Sequence, residues 1–171
     1  MASKSFWAYF QLARADFELE RFDDALTSAK ICLALDPRVE SYYNIAICHE
    51  ALGHTEEALK DFGIALGPES NNALDPKLEK ALNAKSKLAP AALARGMLLA
   101  RLERYSEAKK DFETALKCGS PRSEVYYQMA LLSLAQHNPA AAGDLLRESL
   151  AEDPSNTAAA ALQAKLAAGM R

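Results

Sequence analysis

No run of eighteen apolar residues occurs in the 171-residue chain, so no segment reads as a membrane-spanning helix. The opening stretch MASKSFWAYF lacks the apolar centre of a secretory signal peptide. Excess positive charge is missing as well. A net charge of -3 and a pI near 5.7 leave no basic footprint for nucleic acid or an anionic membrane. Cysteine is scarce: Cys32, Cys48 and Cys118 are odd in number and form no disulfide framework, so they read as reduced thiols of a cytoplasmic or nuclear protein. There is no Gly-rich phosphate loop, no H-E-x-x-H and no C-x-x-C. The one local group with metal-ligand character is Cys48, His49 and His54. On a helix the first two point about 100° apart, and His54 lies past a glycine, so the three do not converge. Asp23-Asp24 and Glu56-Glu57 open helices, where negative charge is favoured, and read as structural. The expectation is a protein that is not an enzyme and carries no cofactor or metal.

What the chain does have is alanine and a period. Half of its residues are hydrophobic, but only 8% are aromatic, which suits closely packed helices. The stretch RGMLLARLERYSEAKKDFETAL, from Arg95 to Leu116, reads as two amphipathic helices hinged at Glu103–Ser106. Its small residues are Gly96, Ala108 and Ala115. The first recurs as Ala13, Ala46 and Ala130, the second as Ala25, Ala58 and Ala142, and the third as Cys32, Ala65 and Ser149. Successive first sites lie 33, 50 and 34 residues apart. Antiparallel helices approach closely only where no bulky side chain separates them. The first two sites therefore let the arms of each hairpin touch, and the third lies where the next hairpin stacks. Such a period, built of paired helices, marks a helical repeat array.

The residues around these sites carry a resemblance. Tyr42, Ile45, Ala46 and His49, followed by Ala58 and Phe62, resemble the tetratricopeptide-repeat motif W-x2-L-G-x2-Y, then A-x3-F, then P. Tyr9, Leu12, Ala13 and Ala25 repeat it, closing on Asp36-Pro37. Gly96, Ala108, Phe112 and Pro121 repeat it again. Tyr126, Met129, Ala130, Ala142 and Leu146 form the fourth unit, closing on Asp153-Pro154. The resemblance implies an all-α fold, a right-handed superhelical solenoid of four helix-turn-helix repeats with one inserted helix and a C-terminal capping helix. One domain would cover 1–171, with repeats at about 5–37, 39–67, 89–121 and 123–154, an insertion at 68–88 and a cap at 155–171.

Along the chain, the first helix is expected from about Ser3–Ser5 to Leu19, with Asp23 as the N-cap of a second helix over Asp24–Leu35. Val39–Leu52 and Thr55–Leu66 follow, then Pro90–Leu102 with proline in the first turn, Ser106–Lys117, Arg122–Gln136 and Pro139–Glu152. In the insertion, GPESNNALDP reads as loop and PKLEKALNAKSKLAP as one helix with Leu78, Ala81, Leu82 and Leu88 opposite its lysines. That helix either packs against a neighbouring repeat or is a mobile arm that covers the groove or grips an acidic partner. In the tail, Ala158, Ala161, Leu162, Lys165 and Leu166 form a weak stripe suited to a cap. No cap precedes Trp7, so either the first repeat is unprotected or the chain is a piece of a longer protein.

The resemblance also implies that the first helix of each hairpin lines a concave groove. On that mapping the groove carries Trp7, Phe10, Arg14 and Phe17 from the first unit, and Glu40, Tyr43, Asn44 and Ile47 from the second. The third contributes Leu93 and Met97, and the fourth Tyr127, Gln128 and Leu131. Phe17 and Ile47 equally suit packing of helix on helix. As a set these residues are apolar and aromatic, as interaction sites tend to be. One branch of the family clamps the acidic C-terminal tails of heat-shock chaperones with Lys, Arg and Asn. The matching positions here are Phe10, Arg14, Asn44, Pro90 and Ala94, of which Asn44 alone fits, with Arg14 as a substitute. The implied function is a protein–protein interaction module, an adaptor taking a peptide or partner helix into its groove. The alternatives are a self-associating scaffold and a co-chaperone-type adaptor. The partner is another protein, with no nucleic acid and no membrane insertion.

Overall fold

The computed structural model describes residues 2–67 and 85–169, and among these it contains nine helices and no strand. They are α1 (Ala2–Glu18), α2 (Phe22–Leu35), α3 (Val39–Ala51), α4 (Thr55–Leu66), α5 (Lys85–Arg101), α6 (Tyr105–Cys118), α7 (Arg122–Ala135), α8 (Pro139–Glu152) and α9 (Thr157–Ala167). The fold is an all-α helical repeat. It divides into two compact units, one ending at Ala91 and the other beginning at Ala92.

The hairpins share one turn geometry. At each of the four hairpin turns one residue takes a left-handed backbone: Glu20 (φ 57°), Gly53 (φ 77°), Glu103 (φ 59°) and His137 (φ 58°). The next amide then donates back to the carbonyl five residues earlier, Arg21 to Asp16, His54 to His49, Arg104 to Leu99 and Asn138 to Ser133, at 2.8, 2.8, 2.9 and 2.9 Å. A second bond spans three residues, as from Glu103 N to Ala100 O at 3.1 Å. This pair of bonds is the Schellman motif, which satisfies carbonyls left free at a helix end. Only one of the four turns has glycine, and the left-handed conformation costs another residue about 1–2 kcal/mol. Glycine in turn loses more chain entropy on folding, about 0.5–1 kcal/mol. Glu103 is exposed, so Glu103→Gly should raise stability by about 0.5 kcal/mol in urea unfolding. A loss instead would assign the Glu103 side chain a stabilising role.

All twelve small sites are buried, Ala25, Ala46, Ala58, Ala65, Ala108, Ala115, Ala130, Ala142 and Ser149 with no exposed surface. In the first unit Ile45 and Cys48 of α3 pack onto Ala13, Ala25, Leu26 and Ala29 of the α1–α2 hairpin, with Phe17, Leu33 and Leu52 at the margin. In the second unit Ala130, Ala142, Leu146 and Ala159 form the corresponding core, and Leu162 and Leu166 of α9 pack against it. Asp61 and Asp111 hold one place in successive repeats, and each reaches across its hairpin. Asp61 meets His49 Nδ1 at 2.8 Å, and Asp111 receives Arg95 Nε and Nη2 at 2.6 and 2.7 Å. Burial pushes the Asp61 carboxyl up from its ordinary range, against the opposing effect of His49.

Four expectations change. Asp23 is not an N-cap: the turn closes one residue tighter than expected, Arg21 takes that place without a side-chain cap, and Asp23 and Asp24 fall in the first turn of α2. Pro90 does not start a helix. It sits inside α5, which already runs from Lys85, so the last residues assigned to the insertion are continuous with the third hairpin. Proline removes one helical donor there, and the helix continues with that bond missing. The cap's buried stripe is Ala159, Leu162 and Leu166, whereas Ala158, Ala161 and Lys165 are exposed. The first helix ends at Glu18, with Leu19 already in the turn. The remainder of the inserted helix expected over 76–88, up to residue 84, lies outside the described residues.

Candidate functional site

Helical spacing puts Phe10, Arg14 and Phe17 on one side of α1, and Glu40, Tyr43, Asn44 and Ile47 on one side of α3. The two helices are neighbours in the first unit, and these seven residues line a single cavity of about 400 Å³. Ala13, Glu18, Cys48 and Pro90 complete its wall. The lining is mostly apolar. Phe17 also packs on the hydrophobic core and sets its ring edge-on to Phe22, 5.2 Å between centroids, so it serves packing and cavity together. The Tyr43 ring leans on Phe62 at 6.1 Å. Burial, with the nearby Glu50 carboxylate, pushes the Tyr43 phenol above its ordinary range, so it stays neutral at physiological pH.

Two of the polar groups in this mostly apolar wall stand out. Asn44 is 7% exposed, and its Nδ2 has no hydrogen-bond partner among the described residues. A buried donor left unpaired costs about 1–3 kcal/mol, so this amide is suited to an acceptor supplied from outside. Arg14 is exposed, and its guanidinium approaches Glu18 only to 3.9 Å. Such an exposed pair contributes little and leaves most of its donors available.

Trp7 is not in the cavity wall. It is 47% exposed and stacks edge-on to Phe6 and Phe10 at 5.3 and 5.5 Å, while the Arg38 guanidinium lies over the Phe6 ring at 4.4 Å. The other groove residues belong to the second unit. Leu93 and Met97 are half-buried on α5, Tyr127 packs on the α7–α8 core, Gln128 donates to Glu124 at 2.7 Å, and Leu131 is exposed. Sequence reasoning gave Glu18 no role and read Cys48 as a reduced thiol. Each directly follows a groove position in the chain, Phe17 and Ile47 respectively, and that adjacency was the available signal.

Among the described residues no group of three His, Cys, Asp or Glu side chains could hold a metal ion. His49 is taken up by Asp61, and its ring lies 5.9 Å from that of His54. Burial pushes the Cys48 thiol up to about 11 and raises Cys32 as well. Iodoacetamide should therefore modify the partly exposed Cys118 first in the native protein, and Cys32 and Cys48 only on unfolding. Rapid labelling of all three without denaturant would contradict the packing of the first unit. No described helix is long and apolar enough to cross a membrane.

The sequence profile described as tetratricopeptide repeat matches residues 10–73 and 93–157. No curated protein matches the sequence. Among solved structures, that of PilF from Pseudomonas aeruginosa superposes with a TM-score of 0.79 at 21% identity, over 96% of this chain and 68% of that one. A tetratricopeptide repeat protein from Parabacteroides merdae gives 0.71 at 21%, over 94% of this chain and 57% of that one. MamA from Desulfovibrio magneticus gives 0.70 at 15%, over 95% and 83%. At these identities the likeness concerns the fold.

Proposed function

Because the chain belongs to the tetratricopeptide-repeat family, whose fold serves protein–protein interaction and scaffolding, we propose that it is a non-catalytic adaptor whose α1–α3 cavity holds a segment of another protein. The observation that carries this reading is the unpaired Asn44 amide in a mostly apolar wall. An apolar side chain of the partner enters between Phe10, Phe17, Tyr43 and Ile47, and a main-chain carbonyl beside it accepts from Asn44 Nδ2. Carbonyls within a helix are already occupied by its own amides, so the segment is extended rather than helical. A terminal carboxylate fits less well. Burying it requires several charged donors, and at the clamp positions Phe10, Pro90 and Ala94 provide none. In the second unit Leu131 is the exposed groove residue, while Tyr127 and Gln128 are engaged in packing and with Glu124.

Peptides selected from a random display library against the purified chain test this. The winners should share an apolar residue and bind with little dependence on salt. Asn44→Ala and Tyr43→Ala should each weaken them about tenfold or more, with helicity unchanged. Selection of peptides ending in acidic residues, with binding abolished by Arg14→Ala and steeply salt-dependent, would establish the chaperone-tail clamp in place of this reading.

A further inference from the structure

The turn that closes each hairpin also brings two side chains together. Its longer bond joins a residue in the last turn of one helix to the residue just before the next helix, and the side chains at those two places meet. In the first hairpin they are Asp16 and Arg21, which form an ion pair. In the second, 33 residues on, they are His49 and His54, whose ring centres lie 5.9 Å apart with their planes at 52°. The His54 amide donates to the His49 carbonyl at 2.8 Å, so the left-handed Gly53 between them turns the second imidazole back toward the first. Leu99 and Arg104, then Ser133 and Asn138, stand at these places in the later hairpins. The second hairpin alone has at this point two side chains that ligate transition metals.

We propose that His49 and His54 together hold a divalent transition-metal ion of the class imidazole favours, Ni2+, Cu2+ or Zn2+, with water at the remaining positions. Asp61 of α4 prepares the first ligand. It accepts from His49 Nδ1 at 2.8 Å, which holds the ring and leaves the lone pair on Nε2, as carboxylates do behind metal-ligating histidines. The second ligand is available: His54 is exposed, and neither of its ring nitrogens is hydrogen-bonded among the described residues. Metal–nitrogen bonds of about 2.1 Å place two imidazoles on one ion with centres about 4.5–5.5 Å apart. From 5.9 Å the exposed His54 ring has only a short way to close. Glu56 and Glu57, in the first turn of α4, add negative charge beside the pair. Neither histidine nor Asp61 lines the α1–α3 cavity, so the metal is independent of the function proposed there.

Calorimetric titration of the full chain with Ni2+ tests the proposal, in a Cys118→Ser background that removes the partly exposed thiol. Binding should saturate and should persist in excess Mg2+, an ion that takes oxygen ligands. His54→Ala should abolish the saturable heat and leave the metal-free melting curve unchanged, since the His54 side chain makes no cap bond to α4. Asp61→Asn should weaken binding about 10–100-fold, and His137→Ala, at the turn of the fourth hairpin, should change nothing. In the NMR spectrum, substoichiometric Ni2+ should broaden the ring signals of His49 and His54 and spare those of His137. A chain without saturable heat, or a His54→Ala variant that binds like the wild type, overturns the site. Displacement of Ni2+ by Mg2+ overturns it in favour of the carboxylates alone. Equal broadening of His137 overturns it as adventitious binding to single imidazoles.

Discussion

Gly96→Leu is expected to unfold the α5–α6 hairpin, with a loss of about 3 kcal/mol, at the upper end for core overpacking. A Cβ at Gly96 would stand 2.7 and 2.8 Å from two ring carbons of Phe112 and 3.3 Å from the Ala108 carbonyl oxygen. Neither neighbour can yield. Phe112 is 1% exposed and Ala108 is completely buried, so the ring has nowhere to turn and the carbonyl belongs to helix backbone. Even Ala would clash, and Leu adds three more carbons. Gly143 is the control, since a Cβ there meets nothing within 4 Å. Gly143→Ala should be neutral or stabilising by up to about 1 kcal/mol, the difference in helix propensity. Urea midpoints of the two variants should move in opposite directions. A Gly96→Leu protein that melts like the wild type would refute the packing of the third hairpin.

Deleting the chain from Asn156 onward is expected to produce the second large loss, again about 3 kcal/mol, together with lower solubility. Two half-buried leucines, Leu162 and Leu166, leave the α7–α8 core, each contributing about 1 kcal/mol or more by burial. Asn156 adds a polar tie among three helices. Its Oδ1 accepts from Ala159 N at 3.0 Å as the N-cap of α9, and its Nδ2 donates to Ser123 Oγ at 2.9 Å and Ser149 Oγ at 3.3 Å. Both serines are buried, so the amide serves hydroxyls that water reaches poorly. Asn156→Ala alone should lose about 1–2 kcal/mol, as other N-cap replacements do. A truncated chain with an unchanged melting curve would show that α9 contributes nothing to the core beneath it.

The hairpins were legible because packing small residues leaves a rigid arithmetic in the chain. α4 and α8 run from Thr55 to Leu66 and from Pro139 to Glu152, the limits read from turn residues and proline. Asp23 misled because capping chemistry is local, whereas the turn before it is closed by bonds reaching back to Asp16 and Phe17. Pro90 misled because proline favours a helix start but is tolerated inside when neighbouring packing holds the helix on both sides. For the cavity, helical spacing brought Phe10, Arg14, Phe17, Tyr43, Asn44 and Ile47 onto facing sides. The family's groove mapping also named Trp7, Tyr127 and Gln128, which do not line this cavity, because an angle on one helix does not tell which neighbour fills the space beside it. Trp7 turned to Phe6 and Phe10, and Gln128 found Glu124 one turn away on its own helix. The free amide of Asn44 was beyond sequence reasoning altogether, since it depends on what the surrounding residues fail to offer.

The order in which helices meet has a consequence for how the chain is made. The first unit packs α1 on α2, α2 on α3 and α3 on α4, and its longest step is from α1 to α3. The second packs α6 on α7, α7 on α8 and α8 on α9 in the same way. Contacts between chain neighbours require only short loops to close, which places such folds among the fast ones, reaching the native state in microseconds to milliseconds. Synthesis proceeds at about 5–20 residues per second, so folding outruns the ribosome by orders of magnitude. The α1–α2 hairpin can therefore be tested and retested for structure while α3 is still being translated, and Ile45 emerges onto a surface that has been waiting for it.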